Sequence, residues 1–105
     1  MALEKLTTKQ NNTLSFTITF TDSAGTAINI TGATVVVKVY NGNTIVETET
    51  ITSHTTPLSG ITTCTFTNTE TALWPIILVG YEVQLTLASG SVYSDDGIIE
   101  VIKDR

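Results

Sequence analysis

One histidine, one cysteine and ten carboxylates are the residues of this chain that could do chemistry. His54 stands in a polar stretch between Ser53 and Thr55. A catalytic dyad or a zinc site needs partners, and the sequence holds no second His or Cys to supply them. His54 therefore reads as an ordinary loop histidine. Cys64 sits at inward parity in an alternating segment, which favours a buried, inert thiol over a nucleophile. Asp95-Asp96-Gly97 could lend oxygens to a calcium ion. Such an ion takes about six or more, and the EF-hand spacing is missing, so a turn is the better reading. Asn11-Asn12-Thr13 and Asn29-Ile30-Thr31 are formal glycosylation sequons, expected by chance in so Thr-rich a chain. The carboxylates are spread over many segments and set up no paired acid and base. No enzyme is implied, and no metal or cofactor.

The elements that would position these residues follow from size and composition. A chain of 105 residues matches the commonest size of one domain. It buries roughly two thirds of its unfolded surface, enough to fold without metal or disulfide. Charged residues make up 14% of the chain and hydrophobic residues 41%. Threonine takes the polar positions that Lys and Glu usually fill, and its β-branch favours extended backbone. The net charge of −5, with five scattered basic residues, argues against nucleic acid. No run approaches the roughly twenty apolar residues of a membrane span. The opening eight residues lack the apolar core of a signal peptide. With a single cysteine, these features predict a protein folded in the cytoplasm, or one whose leader has been removed.

Residues 1–12 are polar and without period, and are expected to form an arm that is loose or ordered against a partner. Residues 13–105 form the domain proper. Its organising segment is Gly80 to Leu87, where Tyr81, Val83, Leu85 and Leu87 alternate with Glu82, Gln84 and Thr86. This period of two predicts a strand at the centre of a sheet. Leu14, Phe16, Ile18 and Phe20 alternate as cleanly with Ser15, Thr17, Thr19 and Thr21. A turn at Asp22-Ser23-Ala24-Gly25 leads to a short strand over residues 26–30. Ala33, Val35, Val37 and Val39 predict the next inward face, with Thr34, Val36, Lys38 and Tyr40 outward. Asn41-Gly42 is a hairpin signal. The return strand, carrying Glu47 and Glu49, reads as a charged edge.

After a loop over residues 53–60, Thr62, Cys64 and Phe66 face inward from another strand. Residues 69–73 predict one helical turn capped by Thr69. A last strand over residues 91–102 carries Ile99 and Val101 inward, with an interruption or bulge near Asp95-Asp96-Gly97. About seven short strands divided by turn signals predict an all-β fold, an immunoglobulin-like antiparallel β-sandwich.

Trp74-Pro75-Ile76-Ile77-Leu78-Val79 has no polar side chain and no alternation. A plug over one end of the sandwich is the favoured reading, with a contact to another subunit beside it. On the second reading, Trp74, Ile76, Ile77, Leu78 and Val79, together with the face of Val36 and Tyr40, form protein–protein contacts.

Three groups of residues carry a likeness to a known family. The first is the strand over residues 13–21 with Asp22-Ser23-Ala24-Gly25. The second is Ile28-Asn29-Ile30-Thr31-Gly32-Ala33-Thr34-Val35. The third is Thr69-Glu70-Thr71-Ala72-Leu73 running on to Gly80-Tyr81-Glu82-Val83, with Gly97-Ile98-Ile99-Glu100-Val101 at the close. This order resembles the immunoglobulin-like domains of tailed-phage virion proteins, and looks closest to the N-terminal domain of the baseplate upper protein. The likeness spans most of residues 13–102 and breaks at residues 74–79. Tyr81, two residues before the inward Val83, sits as a tyrosine-corner residue would. The resemblance implies a non-enzymatic structural protein of a virion, multicopy or homo-oligomeric in its assembly. Such a protein docks onto other virion proteins by tail or baseplate attachment, or by decorating the capsid. The alternative is a carbohydrate-binding or adhesive surface module, which would be favoured if Trp74 and Tyr93 lay exposed side by side in a groove.

Overall fold

Strand β6 (Leu78–Thr86) is the middle strand of the larger of two sheets. The computed structural model describes Leu3 and residues 5–103 of the chain. Val79, Tyr81, Val83 and Leu85 point from β6 into the core and are buried, as their alternation requires. β6 pairs antiparallel with β3 (Thr34–Asn41) on one side and with β7 (Val92–Ile102) on the other. β4 (Thr44–Ile51) closes one edge, joined to β3 by the tight turn at Gly42-Asn43, where Gly42 takes φ 63°. β1 (Leu6–Lys9) closes the other edge, giving the order β1-β7-β6-β3-β4. A second sheet of two strands, β2 (Leu14–Thr19) and β5 (Ile61–Phe66), lies across it. The fold is an all-β sandwich.

The core forms where the inward faces meet. Leu14, Ile18 and Phe20 from the first long segment pack with Cys64 and Phe66 against Val35, Val37 and Val39 and the inward residues of β6 and β7. Phe16 reaches across to Tyr81 edge-on, ring centres 5.8 Å apart, and Phe66 meets Trp74 at 5.1 Å. Such edge-to-face pairs contribute about 0.5–1.5 kcal/mol beyond the area they bury. On the outer face of the small sheet, Ser15 and Thr65 hydroxyls pair at 3.0 Å, so threonine supplies cross-strand hydrogen bonds where other proteins carry charges.

Several expectations are corrected. The arm contains a strand: β1 runs parallel to β7, with Leu6 beside Ile99 and Lys9 beside Ile102, so the sandwich is not wholly antiparallel. Thr8 is buried by that pairing, although nothing in its own neighbourhood alternates over any length. Met1, Ala2 and Glu4 of the expected arm lie outside the described residues. The short strand over residues 26–30 reduces to a single bridge, Thr21 to Ala27. Ile30 is held instead by its N–H to the Pro57 carbonyl (2.9 Å). The helical turn, α1 (Asn68–Thr71), is capped by Thr67 and not by Thr69. Of the two, only Thr67 stands three residues before a Glu. Glu70 N–H donates to the Thr67 hydroxyl, and Thr67 N–H donates to the Glu70 carboxylate at 2.8 Å. β6 begins at Leu78, so Leu78 and Val79 alternate after all.

β7 has no bulge: its register against β6 is unbroken from Val92 opposite Thr86 to Glu100 opposite Leu78. Gly97 is not a turn residue. It stands opposite Tyr81, and a Cβ there would lie 2.4 Å from that ring. The missing side chain is the space the aromatic ring occupies, as in aromatic–glycine pairs elsewhere in sheets.

Candidate docking face

The reactive residues take structural roles. His54 bridges the two sheets: Nε2 lies 2.7 Å from the Ala33 carbonyl and Nδ1 lies 2.9 Å from the Thr62 hydroxyl. A carbonyl only accepts, so Nε2 carries the proton, and in the neutral ring Nδ1 accepts from Thr62. Thr62 is fully buried, so this bond satisfies a hydroxyl that would otherwise be orphaned. Cys64 is buried as well. Burial, with the charges of Glu49 and Glu70 adding to it, pushes its thiol up to about 12, far from the thiolate a nucleophile needs.

The fold does gather three carboxylates that lie far apart in sequence. Glu47 and Glu49 have inward parity on β4, opposite Val39 and Val37, and Glu70 on α1 faces them. Partial burial raises both β4 carboxyls, and the Glu70 charge raises them further. Glu70 caps its helix through Oε1 and also meets the Glu47 carboxyl by a side-chain hydrogen bond that helps to raise it. Among the described residues no three His, Cys, Asp or Glu side chains are arranged to hold a metal ion. Asp95 and Asp96 point to opposite faces of β7 and do not converge.

What the fold leaves open is an apolar area on the outer face of the five-stranded sheet. Outward residues align in rows across the strands. Ile98 of β7, Gly80 of β6, Tyr40 of β3 and Ile45 of β4 share one row. Leu78 and Ile102 lie toward the same end of the sheet. Leu78 is 58% exposed, Ile45 50%, Ile98 48% and Ile102 36%. Gly80 sits between Ile98 and Tyr40 with no side chain, so the row has a shallow saddle at its middle. Isolated exposed apolar residues are ordinary, whereas this group is drawn from four strands, with the Glu100 carboxylate set among Ile98, Leu78 and Ile102 and Lys9 beside Ile102. The next row, Asp96, Glu82, Lys38 and Thr48, is polar and bounds the patch.

The residues expected from the sequence to make contacts divide between this face, its margin and the core. Leu78 and Tyr40 stand on it, with Val36 two rows along and half-buried. Ile76 (47% exposed) and Ile77 (49%) precede β6, and the Ile77 carbonyl accepts the Val101 N–H, extending the ladder. Trp74 and Val79 are in the core, 1% and 2% exposed, and offer nothing to a partner. A groove with Trp74 beside Tyr93 is therefore not formed. Sequence reasoning missed Ile45, Ile98 and Ile102. Ile98 and Ile102 stand on the outward parity beside the inward Ile99 and Val101, with Glu100 between them, so the residue types signal a strand that is apolar on its inner face and mixed on its outer one.

Comparisons with protein-family models, curated proteins and solved structures found no match to this chain.

Proposed function

We propose that this chain is a non-enzymatic, immunoglobulin-like docking module of a tailed-phage particle, binding a neighbouring virion protein through the outer face of its five-stranded sheet. The observation that carries the reading is the apolar row Ile98–Gly80–Tyr40–Ile45 with Leu78 and Ile102 beside it. Two features support the immunoglobulin-like part. The neighbours β7-β6-β3-β4 reproduce the G-F-C-C′ order of variable-type domains, with β2 and β5 in the places of B and E. Tyr81 lies on the F-equivalent strand. Burying the exposed half of Leu78 and Ile98 would stabilise a complex by roughly 1 kcal/mol each. Two placements follow from such a module, tail or baseplate attachment and capsid decoration.

The test is recovery of the chain in purified particles from cells that carry this sequence, with its copy number measured by quantitative mass spectrometry. A fixed copy number is expected, and its value separates capsid from tail. The double variant Leu78→Glu/Ile98→Glu should fold normally and be absent from particles. Absence of the wild-type chain from particles refutes the virion role. Incorporation of the double variant at the wild-type level refutes the docking face.

A further inference from the structure

The two sheets differ in how their edges are finished. On β4 the inward Glu47 and Glu49 make the edge of the large sheet unfit for another strand, since inward-pointing charges oppose edge pairing. The outer flank of β5 is occupied by the loop before it. Thr56 and Ile61 exchange both backbone hydrogen bonds (3.0 and 3.1 Å), and Thr55 and Thr63 hydroxyls pair at 2.6 Å. The far side of β2 is different. Among the described residues no strand pairs with it.

Phe20 N–H donates to the Gly60 carbonyl at 2.8 Å, so the even-numbered residues Phe16 and Ile18 also direct their backbone groups toward β5. Ser15, Thr17 and Thr19 then direct N–H and C=O the other way, along the open side. A cleft of about 550 Å³ runs beside β2, with Leu3, Leu6, Phe16, Ile18 and Tyr81 in its walls and no charged side chain among the described lining residues. Backbone groups that no described residue pairs, next to a cleft with no charged side chain among its described lining residues, have the form of a slot for one more strand.

We propose that this slot takes the β2 strand of a second copy, paired antiparallel across a two-fold axis, independently of the docking face described above. The strand that fits must alternate apolar with small polar side chains and carry no charge. Leu14–Thr19 is such a strand. Centred on Thr17, the pairing sets Thr17 against Thr17, Ser15 against Thr19 and Phe16 against Ile18. Every outward N–H then meets a carbonyl, giving a continuous sheet β5-β2-β2-β5. Neither β2 nor β5 holds a charged residue, so two chains of net charge −5 meet where neither bears charge. None of the usual guards of an edge, a Lys, a Pro or a bulge, is present on β2.

The experiment is sedimentation of the full chain over a wide concentration range, with amide hydrogen exchange read at Ser15, Thr17 and Thr19. A dimer with slow exchange at these three amides is expected. Thr17→Lys sets two like charges opposite each other, and Thr17→Pro removes a donor that β5 does not use. Each should weaken dimerisation at least about tenfold, and Thr17→Lys should do so with an unchanged circular dichroism spectrum. Leu78→Glu should leave the dimer intact, which separates this edge from the docking face. A wild-type chain that stays monomeric at all concentrations overturns the proposal. So does a dimer indifferent to Thr17→Lys, or one lost in Leu78→Glu. A monomer whose three amides exchange slowly means the chain covers this edge itself, and equally overturns it.

Discussion

Replacing Gly97 by alanine tests whether a missing side chain on β7 is there to house the ring on β6. A Cβ at residue 97 would lie 2.4 Å from Tyr81 Cε1, 2.5 Å from Cζ and 2.8 Å from the hydroxyl oxygen. Relaxed contacts between carbon atoms lie at about 3.5–4.0 Å, so the ring must retreat by roughly 1 Å. It has little room: Tyr81 is 2% exposed and its ring already meets Phe16 edge-on. Overpacking of this kind costs about 1–3 kcal/mol. Against it stands the reduced entropy of the unfolded chain, a gain of about 0.4–1 kcal/mol, available because Gly97 is not in the left-handed region. The expected net loss is about 1–2 kcal/mol. Urea denaturation reads it through the fluorescence of Trp74, the only tryptophan and a buried one. In a Tyr81→Leu background the clash disappears, and Gly97→Ala should become neutral or stabilising. Equal cost in both backgrounds, with coupling below about 0.5 kcal/mol, would refute the reasoning.

Gly60→Ala should be worse, because φ is +72° there and the new Cβ would meet backbone, the Phe20 carbonyl at 2.6 Å and the Ile28 carbonyl at 2.7 Å. A loss of at least about 3 kcal/mol or a failure to fold is expected in a thermal melt. Glu70→Gln keeps the helix cap and removes the charge that raises Glu47 and Glu49. Folded pKa values above the ordinary 4.5 mean that these two carboxyls favour the fold when protonated and lose that stabilisation as pH rises through the raised values. The variant should gain about 0.5 kcal/mol at neutral pH in urea titrations, after allowance for solvent screening, and nothing once the pH falls below 4.5. Cys64, with its thiol pushed up to about 12, should resist a soluble disulfide reagent in the native state and react at the rate of opening, measured by adding urea.

The strands that residue types declare by themselves are those that bury one face along their whole length. Leu14 to Thr19 and Tyr81 to Leu85 alternate without interruption, and Thr34 to Asn41 keeps Val35, Val37 and Val39 in step although Val36 and Tyr40 stand on its other face, so each was legible. β1 was not, because four residues hold too short a pattern. It is a strand because residues 99–102 lie beside it, a partner some ninety positions away. Gly97 misled for a different reason. Two Asp before a Gly is turn chemistry locally, and only the register against β6 shows that the glycine serves Tyr81. The carboxylate cluster depends in the same way on α1 coming to rest beside β4. At the docking face, Leu78 and Tyr40 were legible as outward apolar residues, but their sharing an end with Ile98 and Ile45 is a property of register. Trp74 was ambiguous, since a large apolar residue in a loop is equally a plug or a contact. The fold buries it against Phe66, and its indole N–H finds no hydrogen-bond partner among the described residues.

The parallel pairing of β1 with β7 has a mechanical consequence. A pull transmitted from before Leu6 and an opposing pull from beyond Ile102 act in opposite senses along two neighbouring strands that run the same way. The rungs from Leu6–Ile99 to Lys9–Ile102 are then loaded together in shear rather than peeled one after another. A body held between two attachments in a stressed assembly would thus yield only when the whole ladder gives way at once.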